Sequence, residues 1–361
     1  MLYNMMKAYF AIAANFGRYF SPLLTFSGIF FLRAVVSLGM ILDNIFFPKL
    51  RKINVSNPVV IVGNPRSGTT FLQRFLAGQK VGAGMKLWKM IFPSLVLQKI
   101  LKPLIPALEK ISPARFHAHA AHQTNLTAVE TDDPALLFKY FDGFFVYGFF
   151  LAWAMEDLKS RFDPALRDTA SRDFGWLRKI WKRNLVSEGS GIVIAKLFSL
   201  GVRLPKFLEH FPDAKILYTL RDPLETVPSG LSLVTGVLDG RFGFWNLPVE
   251  KRNHYIERLY SALLDLSLRF QADYTAGIIP ADRIMIVRFD KLMQDFENLA
   301  SEIFNFLGIE QDEELKSVIQ KTADKQRSFK SEHKYNLEKF GLTEERIRKD
   351  YAKIYNTFFN N

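Results

Sequence analysis

The chain has 361 residues, 48% of them hydrophobic, which excludes a disordered polypeptide and leaves room for one large α/β domain or two smaller ones. Its 48 Lys and Arg against 36 Asp and Glu give a formal charge of +12, an excess that suits a polyanionic ligand or an anionic membrane surface. The basic residues are spread rather than blocked, so no nucleic-acid partner is expected, and the absence of cysteine excludes a disulfide framework and a thiolate metal site.

Residues 19–47 are strongly apolar, broken by Arg33 and Asp43. A spanning helix needs about 20 mostly apolar residues, and the pieces at 19–32 and 34–42 fall short of that. The segment reads as a helix or helical hairpin that lies against a membrane or packs against the domain. Residues 1–50 are therefore set apart as an apolar, membrane-associated N-terminal segment, and 51–361 as the main domain. The expected location is cytoplasmic, at the cytoplasmic face of a membrane.

Val59–Val62 is a short β-branched run that reads as a buried strand, residues 63–68 as a turn, and the chain from Thr69 as a helix with Phe71, Leu72, Phe75 and Leu76 on one face. Strand, glycine turn and helix in that order open an α/β domain. Further strands are expected at 191–197, Lys215–Leu220 and 284–289, with helices at 204–211 and 255–270. Asp290 is the expected N-cap of a helix carrying Leu292, Phe296, Leu299, Ile303 and Phe306, which Gly308 stops. This rhythm predicts an α/β, three-layer P-loop-like fold with a mostly parallel central sheet and helical insertions. The main insert is placed at about 93–185, over the sheet, where a lid would sit.

The loop Gly63-Asn64-Pro65-Arg66-Ser67-Gly68-Thr69-Thr70 has the glycine spacing of a phosphate cradle, in which backbone N–H groups and a helix N-terminus meet phosphate oxygens. Loops that serve β- and γ-phosphates with Mg²⁺ carry Lys where this one has Thr69, and here the cation is Arg66 instead. A single terminal phosphate has no need of that Lys, and no metal is expected. A second motif is Arg221-Asp222-Pro223 at a strand end, followed by Ser229 eight residues after Arg221. The pair suits a clamp on a second phosphate. The alternative is a strand-end Arg paired with Asp222 or Glu225.

Together, Pro-Arg-Ser-Gly-Thr-Thr-Phe-Leu-Gln at 65–73 and Arg-Asp-Pro with its later serine resemble the two signatures by which sulfotransferases bind PAPS (3′-phosphoadenosine 5′-phosphosulfate). The resemblance runs from residue 58 to the C-terminus and is closest to the bacterial-type branch, related to the tyrosylprotein enzymes. It implies PAPS as co-substrate. Arg66, Ser67, Gly68, Thr69 and Thr70 would hold the 5′-phosphosulfate, Phe71 would stand near the adenine, and Arg221 and Ser229 would grip the 3′-phosphate. The segment 331–342 is also similar to this branch, with Lys334 and Tyr335 as its nucleotide contacts; a charged terminal helix is the alternative. Lys196 ends the apolar run 191–195, where many members carry a Lys that touches the sulfuryl oxygens. Its other reading is a lysine snorkelling beside the sheet.

In-line sulfuryl transfer needs neutralised oxygens, from Arg66 and Lys196, and a general base for the acceptor proton. Where cytosolic members have His, two residues after the Lys, this chain has Phe198, and residues 81–89 hold no acid. Glu130 is the first choice for the base, His122 the second, with Asp132 and Asp133 behind them. Thr-Asp-Asp-Pro at 131–134 is also an ordinary helix start. The aromatic run Phe141, Phe144, Phe145, Tyr147, Phe149, Phe150 and Trp153 reads as core or as the wall of a lipophilic site. The expected acceptor is thus a hydroxyl or amine of a lipid, a sterol-like molecule or a glycan. A kinase-like phosphotransferase, or a noncatalytic membrane-associated adaptor on a nucleotide-binding fold, are the competing readings.

Overall fold

A computed structural model of the chain describes residues 1–79, 81–112, 125–328 and 336–359. Among them a five-stranded sheet runs in the order β2-β3-β1-β4-β5, with every pairing parallel. The strands are β1 (Val59–Val62), β2 (Ala83–Gly84), β3 (Val193–Lys196), β4 (Lys215–Leu220) and β5 (Ile284–Arg288). Side chains alternate across a strand with period two, and the core divides accordingly. Val60, Val62, Ala195, Ile216 and Tyr218 join the larger apolar cluster, while Val59, Ile61, Ile194 and Leu217 join a second one on the opposite face. Both faces are covered by helices, which is why these strands read as unbroken apolar runs.

The chain leaves β1 to build β2 and β3 on one side, then crosses to β4 and β5 on the other. β1 is thus a topological switch point, and a crevice forms outside the carboxyl ends of such strands. The register sets which residues meet there. Ile61 lies opposite Lys196 and Leu217, and Val62 opposite Tyr218. Gly63, Leu197 and Arg221 therefore emerge at the same edge.

The helices used below are α1 (Leu2–Phe16), α2 (Phe20–Phe46), α3 (Thr69–Gly78), α4 (Leu95–Leu101), α5 (Asp133–Tyr140), α6 (Ala170–Glu188), α7 (Pro223–Phe242), α8 (Val249–Thr275), α9 (Phe289–Gln294), α10 (Phe296–Leu307) and α11 (Ala352–Phe358). Two expectations change. Asp290 is not a cap: its carboxylate is captured by Arg288, at 2.8 and 3.0 Å, and the chain forms α9 and α10, divided at Asp295, in place of one helix. The 255–270 helix is longer than its apolar stripe, because its polar ends continue it in solvent. β2 is only two residues long, too short for any periodicity to reveal.

α1 and α2 form a helical hairpin about Gly17, whose φ of 61° makes the turn. α2 runs unbroken through Arg33. Met5, Ala8 and Val36 belong to the larger core cluster, and Phe26 meets Phe141 edge to face at 5.4 Å. Near the end of α2, Asp43 is fully buried. It pairs with Arg183 of α6 at 2.7 Å and accepts hydrogen bonds from Ser94 Oγ (2.9 Å), Leu95 N (3.1 Å) and Val96 N (2.9 Å) at the start of α4. In the aromatic run, Phe141, Phe144, Tyr147 and Trp153 are core residues, and Phe145, Phe149 and Phe150 pack partly buried against them.

Candidate active site

The loop after β1 is fixed from three sides. Gly63 has φ 142°, and a Cβ there would stand 2.5 Å from Thr219 O and closer still to Thr219 Oγ1, so only glycine lets β1 and β4 close here. Asn64 donates to Ser267 Oγ of α8 at 2.8 Å. The Ser67 hydroxyl, buried, donates to Asn64 O at 2.7 Å and lies 2.6 Å from Thr219 Oγ1. Arg66, at the tip, takes φ 75°, a left-handed conformation that costs a non-glycine residue about 1–3 kcal/mol and is found mostly where a site over-determines it. Gly68 (φ 88°) then opens α3, whose first N–H groups have no partner within the helix.

The two sequence-distant motifs meet at this tip. Arg66 Nε donates to Ser229 Oγ at 2.9 Å, and Arg221 Nη1 donates to Arg66 O at 3.0 Å. Asp222 caps α7 by accepting from Leu224 N at 2.9 Å, which points Arg221 back across the strand ends. Tyr355 of α11 donates to the same carboxylate at 2.5 Å and ties the C-terminal helix to it. Arg221 also pairs with Glu225 at 2.6 Å and lies 4.1 Å from the centre of the Phe289 ring. Arg221 thus pairs with Glu225 and also reaches the loop.

Lys196 stands at the end of β3, the position from which a cation toward the sulfuryl group is expected. It is 1% exposed, and its Nζ donates to Thr70 Oγ1 of α3 at 2.8 Å and lies 5.3 Å from the Phe198 ring. Burial lowers its pKa from 10.5 to about 8; among the nearby charges Glu130 opposes that shift most. Glu130 is held beside β2 by its own backbone, with Glu130 N donating to Met85 O (3.1 Å) and Gln73 Nε2 donating to Glu130 O (3.1 Å). Its carboxylate pairs with Arg74 of α3 at 2.7 Å and is 8% exposed.

Asp132 and Asp133 do something else. Asp132 Oδ2 accepts from Lys196 N at 3.0 Å, its Oδ1 accepts from Trp181 Nε1 at 3.0 Å, and Asp133 accepts from Phe198 N at 2.7 Å. They stitch the start of α5 to β3, and neither side chain caps the helix. Burial raises the pKa of Asp132 to about 7, partly offset by the Trp181 and Lys196 hydrogen bonds.

Thr69 is buried at the start of α3, and Phe71 packs on Phe75 and Phe296 (5.4 Å) at the mouth of the second core cluster. His122, Lys334 and Tyr335 lie outside the described residues. Three neighbours escaped the sequence reading. Arg74 was legible as the residue one helical turn after Thr70, on the same face. Thr219 and Phe289 carried no signal, since only strand register brings them to the loop.

The sequence model described as the sulfotransferase family matches residues 58–313. In three dimensions the chain is similar to the sulfotransferase STF1 of Mycobacterium tuberculosis, with TM-score 0.69 and 19% identity over 97% of this chain and 90% of that one. It is also similar to the sulfotransferase STF9 of Mycobacterium avium, with TM-score 0.67 and 18% identity over 90% of this chain and 82% of that one. At such identities the likeness speaks for the fold. Among curated proteins no sequence matches this chain.

Proposed function

The chain belongs to the sulfotransferase family and is an enzyme of sulfuryl transfer; from that premise we propose that its donor is PAPS, its acceptor a hydroxyl or amine of a lipophilic molecule or glycan, and its working place the cytoplasmic face of a membrane. The observation that carries the donor assignment is the junction of the two motifs, Arg66 on Ser229 and Arg221 on Arg66 O, 2.9 and 3.0 Å long across more than 150 residues of sequence.

The residues present suit such a donor. Positions 63–70 contain no acid, and Arg66, Arg221, Lys196, Thr70 and Ser229 are all hydrogen-bond donors. In this reading Arg66, Ser67, Gly68, Thr69 and Thr70 hold the 5′-phosphosulfate. Arg221 and Ser229 hold the 3′-phosphate, Phe71 flanks the adenine, and Lys334 and Tyr335 complete the nucleotide site. Charge-assisted donors fixed before the reaction stabilise developing negative charge without reorganising. Lys196, braced on Thr70, serves the sulfuryl oxygens.

Glu130 takes the acceptor proton, with His122 second in line. As the acceptor oxygen forms its bond to sulfur, the bond between sulfur and the 5′-phosphate oxygen breaks. The proton goes to the Glu130 carboxylate, and PAP leaves with the electron pair. Arg74 orients the Glu130 carboxylate.

Thermal unfolding with PAP tests the donor site in wild type, Arg66→Ala and Arg221→Ala. A ligand at 100 times its Kd that binds only the folded state stabilises by about 2.7 kcal/mol. The expected result is a clear shift in wild type that both variants lose. A shift with ADP and Mg²⁺ but not PAP would overturn the donor assignment in favour of a phosphotransferase, and no shift with either would point to the adaptor.

A further inference from the structure

α2 is long and apolar enough to cross a membrane by length and composition alone. Its setting says otherwise. One side is built into the protein through Val36, Phe26 and the buried Asp43–Arg183 pair. The other side is bare: Phe20, Leu24 and Phe31 are 81%, 76% and 74% exposed, and Leu38, Ile41 and Ile45 continue the same stripe at intervals of three, four and seven residues. The stripe runs the whole helix, about 40 Å at 1.5 Å per residue.

Across residues 19–46 the only charges are Arg33 and Asp43. A seam meant for a second helix is narrow and flanked by charged residues that set partner and register. Here the flanks hold Leu23, Phe30, Ser37 and Phe46, so the outer face is apolar or uncharged across its width. That composition fits hydrocarbon better than a second copy.

A cleft of ≈ 440 Å³ opens beside this stripe, between α2, α5 and α6. Ile41 belongs to both the stripe and the cleft wall, and Lys139, Tyr140, Arg172, Trp176 and Lys179 line the rest. Arg172 is neutralised by Asp142 and Asp173, at 2.9 and 2.8 Å. Among the described residues, Lys139 and Lys179 have no carboxylate partner; Lys139 lies 4.6 Å from the centre of the Trp176 ring. In a narrower recess next to it, Arg33 faces Lys139 and Trp176, and its buried Nη1 has no hydrogen-bond partner among the described residues. Burial lowers the pKa of Lys139, and Arg33 and Lys179 lower it further. Cations gathered at one cleft favour an anion there, which would relieve their mutual repulsion and offer charge-assisted hydrogen bonds.

We infer that the outer face of α2 beds into one leaflet of a lipid bilayer, lying in its plane, and that Arg33, Lys139 and Lys179 receive the anionic headgroup of a lipid in the adjoining cleft. This deepens the membrane part of the proposed function and rests on it. A spanning orientation would cost the Asp43–Arg183 pair and the core packing of Val36. The in-plane one keeps both.

The full chain is sedimented with vesicles of phosphatidylcholine alone and of phosphatidylcholine with phosphatidylglycerol. Wild type binds both, the anionic vesicles more tightly, and added salt removes the difference. A basic residue near an anionic surface contributes about five-fold, so the double variant Lys139→Gln/Lys179→Gln loses about 25-fold on anionic vesicles and keeps its binding to neutral ones. Leu24→Ser/Phe31→Ser/Leu38→Ser loses both. Wild type that pellets with neither vesicle overturns the proposal, as does a lysine variant with the wild-type preference. If inorganic phosphate protects wild type but not the lysine variant, and vesicles have no effect, the cleft serves a free anion and the lipid assignment fails. A wild-type dimer that the serine variant breaks, with no vesicle binding, makes the face a self-interface instead. The PAP-induced shift in melting temperature is measured on every variant as the control for folding. Wild type that pellets as expected yet shows no PAP shift would sink the donor assignment and leave this one standing.

Discussion

The strand-end site and the N-terminal helical pair solve opposite problems. Around the loop, buried and half-buried polar groups pair with one another: Arg66 with Ser229, Ser67 with Thr219, Lys196 with Thr70, Glu130 with Arg74. The sheet ends supply the rigidity, and the loop spends backbone strain at Arg66 to keep its shape. On α2 the apolar groups are exposed, and among the described residues Lys139 and Lys179 of the neighbouring cleft have no carboxylate partner. The first region finds most of its polar partners within the fold. The second is incomplete without a surface. Burial of a polar group demands partners inside the protein, whereas exposure of an apolar one demands a partner outside it.

The sharpest way to break this contrast is at Glu130. If it is the base, Glu130→Gln lowers kcat by about 10²- to 10⁴-fold while the PAP-induced thermal shift persists. A loss below about ten-fold moves the base elsewhere, His122 first. Next in size is Asp43→Ala, the joint between the two regions. It strands Arg183 in a buried setting and leaves three donors at α4 unmet, so denaturant unfolding should show a loss of about 3–5 kcal/mol. A loss under about 1 kcal/mol would mean that α2 is only loosely attached.

Titration gives a smaller, graded effect. The Lys196 pKa, lowered to about 8 by burial, implies that kcat/KM falls as pH rises past about 8, because that profile reports the free enzyme. The bound donor, an anion, raises the same pKa, so kcat holds to higher pH. A flat kcat/KM profile through that range would remove Lys196 from the reaction. On stability the sign reverses. The unfolded chain keeps the Lys196 proton up to its ordinary 10.5, so the folded form gains as pH climbs between about 8 and 10.5. Asp132, raised to about 7, favours the folded form at low pH, and that contribution is lost as pH rises through about 7. Smallest of all, Leu38→Ser on the exposed stripe should change the unfolding free energy by no more than about 0.5 kcal/mol in solution. A larger cost would mean that the face is already packed against something in the free protein.

Local chemistry made much of this protein legible in the sequence. Val59–Val62 read as a buried strand, and glycine at 63 and 68 marked the turn from it into α3. Arg221 and Ser229 fell at a strand end and the helix after it, and the sheet was readable as a parallel one. The apolar residues at 19–47 were equally plain. What the sequence left open was decided by register and packing. Only the pairing of β1 with β4 brings Thr219 against Gly63 and Ser67, and only the fold places Arg74 on Glu130 and turns Asp132 away from a helix cap toward Lys196. Whether α2 crosses a membrane or lies along the protein was likewise beyond hydropathy, which counts apolar residues without direction. Asp43 bears on it through a buried partner 140 residues away, since a charge is carried inside only where the tertiary structure provides its counterpart.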